Sequence, residues 1–191
     1  MLRCAITSGS YSMGDAARWA QDGIDFIQLR EKKINAEELI DLARTMLEEI
    51  ASVLDAKTRL LINGRPDVAI AAGAAGVHLT SHPDELTPTQ VRAVYAASGS
   101  GEPVISVSCH TLDEVQRAHQ QGADLILFGP VFEKRIARQL IRDGSGLEAL
   151  SAACRAAAGT PVLALGGVTL QNAGACVDAG GAGVAAIRLF A

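Results

Sequence analysis

Hydrophobic positions along the chain fall into two rhythms. Short strand candidates occupy residues 3–7, 59–63, 104–108 and 161–165, the last of them apolar without polar alternation, the pattern of a parallel strand buried on both faces. Four further runs each begin at a glycine. Gly23 leads to Phe26-Ile27-Gln28-Leu29, Gly73 to Gly76-Val77-His78-Leu79, Gly122 to Leu125-Ile126-Leu127-Phe128, and Gly180 to Gly183-Val184-Ala185-Ala186. These glycines recur roughly every fifty residues, too long for one strand–helix unit and right for two.

Between the runs the rhythm becomes helical. Residues 36–51 place Leu39, Leu42, Ala43, Met46, Leu47 and Ile50 on one face, with Glu37, Glu38, Asp41, Arg44 and Glu48 largely off it. Thr111 and Glu114 form a capping-box pair at the start of another helix. Further helices are expected over 14–21, 66–72, 87–97, 147–157 and 169–177. Eight strands alternating with helices predict an α/β fold, a single (β/α)8 TIM barrel over residues 1–191. The last strand leaves room for only a truncated or missing final helix. An open doubly wound sheet is the rival architecture.

The stretch Pro161-Val162-Leu163-Ala164-Leu165-Gly166-Gly167-Val168-Thr169 runs a buried strand into paired glycines, with Thr169 expected to cap the next helix. Bare backbone at a strand end offers N–H groups to an anion, most simply phosphate; a tight turn is the plainer reading. Aligning the repeats puts Gln28, His78, Leu127 and Ala185 at one level of four even strands, and Arg30, Thr80, Gly129 and Ile187 at the C-terminal rim. Barrel active sites lie at that rim. Polar Gln28 and His78 inside apolar strands suggest inward groups near the mouth. Arg30-Glu31-Lys32-Lys33 would put cations there for a phosphate or diphosphate. Asn63 and Ser108 end strands at the same level.

Composition narrows the function. The 191 residues are 49% hydrophobic and 20% charged, and 17 basic against 21 acidic residues give a net charge of −4. Charges form no long run of one sign, which argues against nucleic acid or an anionic membrane as partner. Met1-Leu2-Arg3-Cys4-Ala5-Ile6 reads as a strand rather than a leader. Cys4, Cys109, Cys154 and Cys176 form no Cys-x-x-Cys pair and sit in apolar segments, as reduced core cysteines of a cytoplasmic protein would.

An ordered set of motifs sharpens this. Gln28-Leu29-Arg30-Glu31-Lys32, Ile62-Asn63, Ala72-Gly73-Ala74-Ala75-Gly76-Val77-His78-Leu79, Val107-Ser108-Cys109-His110-Thr111, Gly129-Pro130-Val131-Phe132, Gly146-Leu147-Glu148 and Leu165-Gly166-Gly167-Val168-Thr169 follow one another. Together they resemble the thiamine phosphate synthase family, which includes thiazole tautomerases. The resemblance implies a transferase of thiamine biosynthesis that couples hydroxymethylpyrimidine diphosphate to thiazole phosphate and releases diphosphate. It implies small phosphate-bearing substrates as partners and leaves self-association open. It assigns Gln28, Arg30, Lys32 and Asn63 to the diphosphate or pyrimidine, and Ser108 to the reacting centre. Gly146, Gly166, Gly167, Ala186 and Ile187 would meet the thiazole phosphate, and His78 joins the catalytic candidates from its level in the barrel.

The resemblance also implies Mg2+ held by two aspartates. Gly64 stands at the first position, and the second falls in Thr80-Ser81-His82-Pro83, with Asp84 one place late as the remaining metal candidate. One carboxylate suits a hard divalent cation poorly. The family lysine position falls on Ala137, with Lys134, Arg135 and Arg138 nearby as replacements. An isomerase acting on the thiazole phosphate is the alternative; its expected histidine position holds Pro130, leaving His78 or His110 to move the proton. A non-catalytic binder of thiamine precursors is the third reading.

Overall fold

The computed structural model describes residues 1–9, 11–136 and 139–190, and side chains outside 134–142. Eight parallel strands close into a barrel: β1 (Leu2–Ile6), β2 (Phe26–Leu29), β3 (Arg59–Asn63), β4 (Gly76–Thr80), β5 (Val104–Cys109), β6 (Leu125–Phe128), β9 (Val162–Leu165) and β10 (Gly183–Ala186). They follow one another around the wall in chain order, and β10 closes onto β1. The closed barrel decides against the open sheet. A small antiparallel pair, β7 (Lys134–Ile136) and β8 (Gln139–Arg142), lies outside the barrel sheet. That hairpin was not anticipated from the sequence.

Helices α1 (Asp15–Gln21), α2 (Ala36–Ala51), α3 (Pro66–Ala72), α4 (Pro88–Ser98), α5 (Leu112–Gln120), α6 (Gly146–Ala156) and α7 (Ala173–Asp178) complete the fold. Capping boxes start three of them, from Asn35 with Glu38, Thr87 with Gln90, and Thr111 with Glu114. Helix α2 buries Leu39, Ala43, Met46 and Ile50, the stripe its spacing predicts. Helix α7 differs from expectation. It starts at Ala173 after Asn172, and Thr169 does not cap it. Asn172 instead accepts from the Thr169 amide and donates to the Gly167 carbonyl, turning residues 167–172 into a bridged loop. Among the described residues no helix follows β10.

Outward residues such as Ile27, Leu60, Val77, Ile105, Ile126 and Val184 pack against the helices in the larger core. The barrel interior is separate, and the parallel registers stack its inward residues in layers of four from alternate strands. Nearest the mouth are Ile6, Asn63, Ser108 and Leu165. Below them come Gln28, His78, Leu127 and Ala185, the level that the sequence repeat predicts. Cys4, Leu61, Ser106 and Leu163 form the third layer. The interior is thus divided lengthwise: β6, β9, β10 and β1 contribute an apolar wall, while β2 to β5 contribute every polar group.

Candidate functional site

The polar half is knit together by short side-chain bonds. Gln28 Nε2 donates to Asn63 Oδ1 at 2.8 Å across β2 and β3. His78, 3% exposed, has both ring nitrogens occupied: Nδ1 lies 2.7 Å from Ser106 Oγ and Nε2 2.9 Å from Ser108 Oγ. Burial, reinforced by the nearby Arg30 charge, pushes the His78 imidazole down to about 3, so the ring is neutral near neutrality. One nitrogen therefore donates and the other accepts. Gln28 Oε1 is buried and has no hydrogen-bond partner among the described residues.

Above this layer the turn after β2 carries the cations. The Arg30 amide donates to Thr7 Oγ1 at 2.9 Å, tying the turn to the end of β1. Arg30 is half-buried and Lys32 exposed, and neither forms an ion pair among the described residues. Glu31 does not compete for their charge; its carboxylate accepts from the Gly9 amide at 3.0 Å and pins the β1–α1 loop. Glu49 of α2 anchors the same loop through the Tyr11 hydroxyl and the Gly14 and Ala16 amides. Two acidic side chains thus shape one side of the mouth without entering it.

On the far side of β1 a cavity of about 820 Å³ opens over the ends of β9 and β10, its wall including Gly166, Gly167, Ala186, Ile187 and Arg188. Gly166 and Gly167 have φ of +90° and +66°. A Cβ on Gly166 would stand 2.6 Å from Pro130 Cβ, and one on Gly167 2.7 Å from Phe132 Cβ. The paired glycines are needed because residues 130–132 run against this turn, with Val131 donating to Leu165 and Phe132 to Gly166. The amides of Gly167, Val168, Ile187 and Arg188 have no protein acceptor among the described residues and are open to an anion. Helix α7 is short and begins beyond Asn172, so its N-terminus takes no part in this arrangement.

The expected site residues therefore divide. Gln28, Asn63, His78 and Ser108 are brought together, with Arg30 and Lys32 on the turn above them. Gly166, Gly167, Ala186 and Ile187 share the cavity over β9 and β10. Gly146 joins neither group; its amide donates to the Val131 carbonyl at 2.9 Å. His110 turns away from the interior, its Nδ1 against the Gly129 carbonyl. Sequence reasoning missed Ser106 and Arg188. Ser106 is marked only by having the same inward parity as Ser108, and Arg188 only by being the first cation after the last strand.

The Mg2+ ligands that the resemblance implies are not assembled here. Among the described residues no group of three His, Cys, Asp or Glu side chains could hold a metal. The Asp84 side chain is 91% exposed and lies 3.6 Å from His82 Nδ1. Gly64 carries no donor side chain at the position where the resemblance implies a first carboxylate. This donor set does not fit a carboxylate-held Mg2+. Ala137 and Arg138, and the side chains of Lys134 and Arg135, lie outside the described residues.

No helix among the described residues is long and apolar enough to cross a membrane. The chain is 40% identical over 165 residues to a putative thiamine-phosphate synthase of Geobacter sulfurreducens, covering 86% of this chain and 72% of that protein. It is 35% identical over 187 residues to the thiamine-phosphate synthase of Chlorobium luteolum, covering 97% and 83%. The solved thiamine phosphate pyrophosphorylase from Pyrococcus furiosus superposes with a TM-score of 0.80 over 97% of this chain and 85% of its own, at 24% identity, which speaks to the fold. The family profile described as thiamine monophosphate synthase matches residues 5–190, and the chain belongs to that family.

Proposed function

We propose that the protein joins a hydroxymethylpyrimidine diphosphate to a thiazole phosphate, forming thiamine phosphate and releasing diphosphate. The observation that carries this reading is the pairing of two anion-suited positions on one barrel mouth: Arg30 and Lys32 after β2, and the open amides after β9 and β10. A diphosphate and a monophosphate need two such positions. Inside the barrel the neutral His78 system and the Gln28–Asn63 pair supply hydrogen bonds without a strong base.

The proposed chemistry asks for that distribution. The bond between the pyrimidine methylene carbon and the diphosphate oxygen breaks, and its electron pair leaves on the oxygen. The thiazole nitrogen lone pair then forms the new carbon–nitrogen bond. Arg30 and Lys32 stabilise the charge gathering on the departing oxygens. Gln28, Asn63 and Ser108 hold the pyrimidine, and the Gly166–Gly167 turn with Ile187 holds the thiazole phosphate by its handle. Since the described residues do not fit a carboxylate-held Mg2+, no step is assigned to one. Four unpaired cysteines, two of them (Cys4 and Cys109) pushed up to about 12 by burial, support a reducing cytoplasmic setting.

Purified protein incubated with both precursors and Mg2+ should yield thiamine phosphate by chromatography. Absence of product at high enzyme concentration sinks the synthase reading. A second reading, isomerisation of a carboxylated thiazole phosphate, is favoured by one feature, the lack of a second carboxylate beside Gly64 and Asp84. It needs the cavity over β9 and β10 but not the cations after β2. NMR of the thiazole tautomer alone with enzyme tests it.

A further inference from the structure

Ser106 is buried in the third layer at 1% exposure, one layer beneath His78 and well away from the mouth. Among the described residues, the only hydrogen-bond partner of its hydroxyl is His78 Nδ1, 2.7 Å away. On the other side of the ring, His78 Nε2 lies 2.9 Å from Ser108 Oγ, which is half-buried at the mouth. Two hydroxyls and one neutral imidazole thus form a row from the barrel interior to the site.

The row has two internally consistent polarities, and they present different faces to a ligand. If Nδ1 carries the proton, it donates to Ser106, whose own hydrogen is then left buried with no acceptor. Ser108 in turn donates to Nε2 and offers a ligand only lone pairs. If Nε2 carries the proton, Ser106 donates to Nδ1, Nε2 donates to Ser108, and the Ser108 hydrogen is free to point out of the row. Every buried hydrogen is satisfied only in the second arrangement.

We infer that Ser106 is a positioning residue that fixes His78 as its Nε2–H tautomer and so sets the Ser108 hydroxyl as a hydrogen-bond donor toward the substrate. The group it fits is an acceptor, an anionic oxygen or an unprotonated aromatic nitrogen. The contribution to turnover rests on the proposed synthase reading; the polarity of the row does not. Buried with its charged form disfavoured, His78 holds this polarity across the physiological range instead of switching with pH.

The test is imidazole nitrogen NMR on protein labelled with 15N-histidine, tractable because the chain has only 4 histidines. The resonances missing from His78→Gln identify His78. In the wild type they should show a protonated Nε2 and a bare Nδ1, unchanged from pH 5.5 to 8.5. Ser106→Ala should shift His78 to a tautomer mixture and lower kcat about tenfold with little change in KM, and Ser106→Thr should restore both. A protonated Nδ1 in the wild type, or an unchanged tautomer in folded Ser106→Ala, would overturn the inference. Failure of the wild type to make thiamine phosphate would remove the synthase reading and leave the tautomer result to stand or fall by itself.

Discussion

Gln28 and Asn63 meet side chain to side chain, Nε2 donating to Oδ1 at 2.8 Å, and the contact leaves Gln28 Oε1 buried without a partner. A buried acceptor left unsatisfied costs about 1–3 kcal/mol. The position of that atom, one layer below the mouth, gives the cost a use: a ligand N–H can satisfy it on binding.

Gln28→Met removes the orphan atom while keeping the volume. Its expected net effect on stability is within about 1 kcal/mol, because relief of the buried Oε1 is offset by loss of the Nε2 bond to Asn63. Binding of the pyrimidine substrate should weaken, because the amide that met it is gone. Melting curves and calorimetry on the same samples read both effects. Unchanged binding would show that Oε1 is not the ligand's partner.

The pH dependence of stability should carry the signature of His78. Its folded-state value of about 3 lies below the ordinary 6.5, so on acidification the unfolded chain takes up the proton first. The contribution of His78 is therefore whole above about pH 6.5 and is lost progressively from there toward about 3, at about 1.4 kcal/mol per pH unit. Urea melts between pH 6.5 and 5 avoid most carboxylate titration. His78→Gln cannot titrate and should flatten the slope there; equal slopes for the two proteins would mean that His78 ionises in the folded state.

The parts of this site that were legible in the sequence share a physical cause. Gln28 and His78 interrupt runs that are otherwise apolar, and a polar group inside a buried strand must be answered by another group. The barrel strands were legible because burial on both faces keeps most of their positions apolar. Ser106 escaped because serine in a strand is unremarkable until the register sets it beside His78. The β7–β8 hairpin escaped because Glu133-Lys134-Arg135-Ile136 shows no strand alternation, and the start of α7 because Asn172, not Thr169, organises the turn. Arg188 had no pattern around it and acquires meaning only from the cavity wall.

Gly64 offers a way to probe the carboxylate that the resemblance implies. Its φ is +66°, and nothing lies within 4 Å of where a Cβ would stand. Aspartate enters this region more readily than most residues, so Gly64→Asp should cost about 1 kcal/mol. Mg2+ titrated alone into the wild type should give no saturable heat at millimolar concentration. In Gly64→Asp, diphosphate binding should become Mg2+-dependent. Saturable Mg2+ binding by the wild type would mean that residues other than carboxylate pairs hold the ion.

Arg30 follows β2 and Arg188 follows β10, with β1 between those two strands, and the two-anion layout predicts that their substitutions separate cleanly. Arg30→Ala removes a charge-assisted contact, worth about 1.5–3 kcal/mol, from the diphosphate side. Turnover of the pyrimidine diphosphate should fall by roughly ten- to a hundredfold, while thiazole phosphate binding measured by calorimetry stays as in the wild type. Arg188→Ala should do the reverse, weakening thiazole phosphate binding by about tenfold at low ionic strength and less at high salt, since this guanidinium is exposed. The losses should add in the double variant, because the two groups share no partner. An isomerase would respond otherwise: Arg30→Ala would leave its rate intact and only Arg188→Ala would raise its KM. If Arg30→Ala instead weakened the monophosphate and spared the diphosphate, the assignment of the two phosphates to the two positions would be reversed.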